Sequence, residues 1–347
     1  MTGQFDIHEV VSRAWNNYDA TRTIVSITDI SAKVSTNHVY RVRFKDGTFV
    51  ISKVSYFGKY EHFVEDHTII NVLANNLPQP FENVLAHSLM KKSELYTYRE
   101  KHSIQDIWVV FYRPIKTKQR LPRRLSSDEI INMGRQFARF HKCCTSIRNT
   151  LPDSSKTMKS DLEELEAYLK TEVGKFDIGI AKSKVEEHCK KFFSFYNNVD
   201  HSQIPIIPVF VDWNIGNFSI SKSGKLYSRW DYDWFRMSSR MIDFYFFARI
   251  ASDVGDRTVF TYNIDVLAEE RFLVFLKSYH SEFPLTELEI EMLPEMYRFF
   301  LLNYVIKYGS YFFHDIYAQQ LKSEVYLTHL DSIESLDLSP LKSALRL

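Results

Sequence analysis

The chain has 347 residues, with 44 Lys+Arg against 43 Asp+Glu and a formal net charge of +1, so no charge excess draws it to nucleic acid. Its length exceeds a typical single core and suits two unequal lobes, and its 45% hydrophobic and 15% aromatic content is that of a globular protein with a large interior. Three cysteines, Cys143, Cys144 and Cys189, exclude a disulfide framework; Met1 to Glu9 lacks the blocks of a signal peptide and no apolar run reaches membrane-spanning length, so a cytoplasmic protein without a membrane segment is expected.

From Ile24 to Val54 the pattern is strand-like, with Tyr40, Val42 and Phe44 on one face and Asp46-Gly47 as a tight turn into Phe49 to Val54. Lys53 lies near the end of this last strand, where β-branched neighbours disfavour an ammonium that has no partner. A helical run follows through Glu65 to Leu77-Pro78. The basic cluster Lys116, Lys118, Arg120, Arg123 and Arg124 reads as a solvated loop. Ser126-Ser-Asp-Glu129 is a capping box that opens a helix bearing Ile130, Met133, Phe137 and Phe140. Two more helical stretches, about 161–171 and 182–196, precede an apolar run from Ile204.

That run ends in Val209-Phe-Val-Asp-Trp-Asn-Ile-Gly-Asn217. Phe218 to Ile220 and Lys225 to Trp230 then alternate around Ser221-Lys-Ser-Gly224 as a hairpin. Symmetric pairing sets Asn217 across from roughly residues 229 to 231, so Asp212, Asn217 and Asp231 converge at one sheet edge. A carboxylate that takes a hydroxyl proton, beside an amide and a second carboxylate that hold magnesium against phosphate oxygens, is the equipment of phosphoryl transfer.

Asp-x4-Asn, the hairpin and Asp231-Tyr-Asp233 together resemble the catalytic core of the aminoglycoside phosphotransferase, choline kinase and homoserine kinase group. The resemblance runs over roughly residues 24 to 315. It implies an α+β, two-lobed protein-kinase-like fold, with a small antiparallel-sheet N-lobe (1–113) that binds nucleotide and a larger, mainly helical C-lobe (114–347) with the catalytic loop and acceptor site. The implied activity is ATP-dependent, Mg2+-assisted transfer to a hydroxyl of a small molecule. Asp212 is then the base, Asn217 and Asp231 the metal ligands, and Lys53 the phosphate contact paired with Glu65, or with Glu61 one turn earlier. Ser35 and Thr36 would lie in the turn over the phosphates. Trp108 to Ile115 resembles the family's strand into the hinge, where Tyr112 or Arg113 would supply the contact, since Pro114 has no N–H to offer.

The resemblance further implies that Asp243 braces the catalytic loop by accepting backbone N–H bonds and that Gly134 to His141 is the family's Gly-x-x-Leu-Ala-x-Leu-His helix, with His141 a packed structural residue. Phe210 stands where the family usually carries histidine. Asp233 is either a second cation ligand or a carboxylate that repels Asp231 into a raised pKa. Asp233, Glu287, Glu289 and Glu291 are candidates to receive a cationic amine. The competing reading is a catalytically degenerate nucleotide-binding scaffold that acts through a partner.

Overall fold

A computed structural model describes residues 6–32, 38–101, 105–253 and 261–347. Alternation along β2 (His38–Phe44) turns Tyr40, Val42 and Phe44 inward, and Gly47, at φ +82°, lets the chain reverse into β3 (Phe49–Ser55). With β1 (Ile24–Asp29), β6 (Thr97–Lys101) and β7 (Asp106–Tyr112) these strands form an antiparallel five-stranded sheet in the order β1-β2-β3-β7-β6. A two-residue hairpin, β4 (Met90–Lys91) with β5 (Glu94–Leu95), precedes β6.

The sheet is covered on both faces. Helix α1 (Ile7–Tyr18) lays Val10, Val11, Ala14 and Trp15 on Tyr40, Val42, Phe44 and Phe111. Helix α2 (Tyr60–Asn76) packs Ile69, Ile70 and Leu73 into the core that also holds Val110. Burial on both sides explains why β7 reads as an unbroken apolar run.

The second lobe is built on α3 (Ser127–Ser146), whose capping box joins Ser126 and Glu129 as the sequence implies. Helices α4 (Met158–Lys170), α5 (Glu172–Ile178) and α6 (Lys182–Asn198) form an insertion before strand β8 (Ile206–Val209). The hairpin β9 (Phe218–Ile220) and β10 (Leu226–Arg229) follows; β11 (Arg236–Ser239) then pairs antiparallel with β8. Helix α7 (Phe244–Ala251) is buried throughout, and α8 (Glu270–Glu282) lies along α3. Gly134 permits that close approach, since a Cβ there would stand 2.7 Å from the Phe275 carbonyl oxygen. The apolar run Phe299 to Ile306 does not continue as a plain α-helix but widens into a π-helical segment, Leu301–Lys307. Among the described residues no helix is long and apolar enough to cross a membrane.

Candidate active site

Strand β8 delivers the chain into a strained turn. Val211 has φ +58°, a left-handed conformation that costs a β-branched residue on the order of 1–3 kcal/mol. Asp243 holds it there. Fully buried ahead of α7, its Oδ1 accepts the Val211 N–H at 2.7 Å, while Oδ2 accepts Trp213 Nε1–H at 2.7 Å and lies 3.1 Å from His141 Nε2. A buried carboxylate is tolerated because each oxygen has a donor. His141, also fully buried, has Nδ1 2.8 Å from the Tyr279 hydroxyl, and so packs beneath the loop as expected.

Asp212 follows directly. Its Oδ1 accepts the Asn214 N–H at 3.2 Å and its Oδ2 accepts Asn217 Nδ2–H at 2.9 Å. The hairpin sets Arg229 opposite Phe218, and Trp230 donates its N–H to the Asn217 carbonyl at 2.9 Å. Asn217 therefore lies against residues 229–231, as symmetric pairing implies. Asp231 has φ +66°, the second left-handed residue of the site.

Lys53 reaches this corner from β3, where it sits opposite Val110 of β7. Its Nζ lies 2.5 Å from Asp233 Oδ2 and 3.3 Å from Asp231 Oδ1. Burial alone would lower the lysine pKa, but the two carboxylates outweigh it and raise it. Burial likewise opposes ionisation of Asp231, yet Lys53 and Arg229 hold its pKa below the usual value. Repulsion from Asp233 therefore does not raise Asp231.

Beside Asp233, between α2, α4 and the C-terminal helices, lies a cavity of about 70 Å3 walled by Phe63, Tyr304, Tyr308 and Phe312.

No family model matches the chain, and no curated protein matches it in sequence. Solved structures do. An amicoumacin kinase in complex with AMP-PNP, Ca2+ and its ligand aligns at TM-score 0.66 with 13% identity, over 97% of each chain. A microcompartment-associated aminopropanol kinase aligns at TM-score 0.60 with 14% identity, over 97% of this chain and 98% of that one. A choline kinase from Streptococcus pneumoniae aligns at TM-score 0.55 with 14% identity, over 94% of this chain and all of its own. The chain has the protein-kinase-like fold of these small-molecule kinases.

Within this protein-kinase-like fold several expected contacts fall differently. Lys53 does not pair with Glu65. Glu65 instead accepts from the Ser154 hydroxyl and the Ser155 N–H, both at 2.7 Å, in the segment between α3 and α4. Those bonds outweigh its burial and lower its pKa. Glu61 faces Arg99 at 3.5 Å. The lysine is drawn across the cleft because two carboxylates from the C-lobe lie within its reach. Arg113 gives its N–H to the His87 carbonyl at 2.8 Å, so that amide is already engaged. Tyr112 turns its ring inward, 5.8 Å from that of Tyr232. Ser35 and Thr36 lie outside the described residues. In the basic cluster, Lys118 rests on the Tyr227 ring and Arg124 pairs with the exposed Asp253.

The carboxylates suggested for an amine are engaged as well. Glu289 is buried on Arg240, Glu287 and Glu291 share Lys342, and Asp233 holds Lys53.

The donor set fits a hard cation. An ammonium already sits between Asp231 and Asp233, and Asn217 turns its amide nitrogen to Asp212, which leaves Oδ1 as its cation donor. Among the described residues no three His, Cys, Asp or Glu side chains form a ready cage. Asp231, Asp233 and the Asn217 amide oxygen are oxygen donors of the kind Mg2+ takes, one or two carboxylates with phosphates and water completing its shell.

One residue escaped the sequence reading. Arg229 is fully buried, and its guanidinium lies 4.5 Å from the Phe210 ring centroid and 4.9 Å from that of Trp213. The signal was an arginine in a short alternating strand, directly ahead of Trp230-Asp231.

Proposed function

We propose that the chain is an ATP-dependent phosphotransferase that acts on a hydroxyl of a small molecule. The observation that carries this is the joint of Asp212 with Asn217 against the Asp231 corner held by Lys53. Residues 1–113 would bind the nucleotide and 114–347 would carry the catalytic loop and acceptor. In the reaction the acceptor oxygen forms a bond to the γ-phosphorus, the bond to the bridging oxygen breaks, and ADP leaves with that electron pair. Asp212 takes the hydroxyl proton, and its hydrogen bond from Asn217 fixes the carboxylate's orientation. Lys53 would move from Asp231 and Asp233 onto the phosphate oxygens. Asn217 and Asp231 would hold Mg2+, with Asp233 as an added oxygen donor; when bound, the ion neutralises phosphate charge in the transition state.

For the acceptor, the favoured class is an amino alcohol or amino sugar: the cavity beside Asp233 offers ring faces that attract an organic cation and the carboxylates Asp66 and Asp161, set against the bases Lys59, Lys156 and Arg236. The fold's likeness to an aminopropanol kinase and a choline kinase supports the same class. Sparse free cysteines fit a reducing cytoplasm, where ATP is at hand. The scaffold reading has one observation in its favour, the capture of Lys53 by Asp231 and Asp233 in place of Glu65. Incubation with ATP, Mg2+ and pooled amino alcohols, amino sugars and carboxylate-rich alcohols separates the readings. A phosphorylated amine-bearing product is expected. Nucleotide binding with no turnover over background in any pool would favour the scaffold.

A further inference from the structure

Arg229 sits at the end of β10 with no exposure to solvent. Its Nη2 donates to the Asp212 carbonyl at 2.8 Å, and its Nη1 donates to the Asp231 carbonyl at 2.5 Å and to that of Trp230. One planar group thus bonds to the backbone of both the residue assigned as base and the residue assigned as metal ligand. Its face lies over Phe210 and Trp213. Its own backbone is anchored as well: its N–H goes to the Val84 carbonyl at 2.6 Å, and its carbonyl accepts from the Tyr232 hydroxyl at 2.9 Å.

Burying a guanidinium is costly, and Arg229 has no exposure to solvent. Such a cost persists where the group holds something that the backbone would not adopt alone. Both segments that it joins contain left-handed residues, Val211 and Asp231. The Phe210 side chain has no hydrogen-bond donor to offer either segment, whereas the fork of an arginine reaches carbonyls on both sides at once; a lysine, as a point charge, cannot reproduce that geometry.

We propose that Arg229 is a positioning residue that sets the spacing of Asp212 and Asp231, with Phe210 as its aromatic platform. The phenylalanine is then part of a working site rather than a mark of lost activity. This rests on the phosphotransferase reading of the same site.

The test compares the full-length wild type with Arg229→Lys and Arg229→Met for melting temperature, affinity for ATP with and without Mg2+, and, where turnover is found, kcat and KM. The expected result is unchanged metal-free ATP affinity, at least a tenfold weaker Mg2+ dependence of binding, and a kcat lowered more than a hundredfold with little change in KM. Folded variants whose Mg2+ dependence and kcat match wild type, with only a lower melting temperature, would overturn the proposal and leave Arg229 as a core residue. If neither arginine variant folds, Phe210→Leu keeps the guanidinium and removes its platform. A weakened Mg2+ dependence in that variant supports the proposal, and an unchanged one overturns it. Mg2+-dependent ATP binding that is absent from wild type would overturn the phosphotransferase reading and this inference together, whereas normal wild-type binding with unshifted variants would overturn this inference alone.

Discussion

Asp212 and Asp231 carry different duties, and single substitutions should separate them. Asp231→Ala removes a carboxylate from the cation corner and is expected to abolish the Mg2+ dependence of ATP binding, while metal-free binding persists; calorimetry with unchanged Mg2+-ATP affinity would count against this. Asp243→Ala leaves the Val211 and Trp213 N–H groups and His141 without their acceptor. A cost of about 3–5 kcal/mol is expected, read as a lower urea midpoint. At this scale the sequence was informative where chemistry is local. Asp212, Asn217 and Asp231 could be aligned because a hairpin of known turn fixes its own register. The partners of Lys53 and Glu65 could not, since each depends on how two segments far apart in sequence meet: β3 with residue 233, and α2 with residues 154–155. Arg229 was hidden for the same reason, because burial of a charge is a property of the surroundings and not of the strand that carries it.

Among the elements, β2, β3, α3 and the 218–229 hairpin were legible from alternation, capping and turn residues, and β7 from its likeness to the family's strand into the hinge. Helix α1 was not singled out, although Asp6 caps it by accepting from the His8 and Glu9 N–H groups and Val10, Val11, Ala14 and Trp15 follow helical spacing. Its amphipathic face is short and has meaning only against the sheet that it covers. The π-helical widening at Leu301–Lys307 was also unforeseeable, since periodicity over a uniformly apolar run does not distinguish helix types. Close contact of α3 with α8 gives a sharper expectation. Gly134→Ala would bring a Cβ to 2.7 Å from the Phe275 carbonyl oxygen, so overpacking should destabilise the protein by about 1–3 kcal/mol. A melting temperature equal to wild type would show that α8 shifts freely.

For the whole molecule, acid should weaken the fold through two buried imidazoles. Burial depresses His67, in α2, to about 4, and burial with the neighbouring Arg298 depresses His188, in α6, to about 4, against an ordinary value of 6.5. Between those values the unfolded chain binds more protons than the folded one, so stability is retained above pH 6.5 and lost as the pH falls toward 4. The slope is at most about 1.4 kcal/mol per pH unit for each group. Urea midpoints at several pH values should fall over this window, and less so in His67→Gln; a flat profile would contradict it. The two-lobed fold itself was legible through the family resemblance carried by Asp212, Asn217 and Asp231 to Asp233, with a length that suits two unequal lobes.

The central claim is phosphoryl transfer with Asp212 as proton acceptor. Its most direct test follows the γ-phosphate of labelled ATP onto a pool of amino alcohols and amino sugars, with wild type and Asp212→Asn side by side. Wild type is expected to label an alcohol, and the variant to be slower by roughly a hundredfold or more with Mg2+-ATP affinity nearly intact. Equal labelling by both proteins, or ATP affinity lost in step with labelling, would contradict the claim.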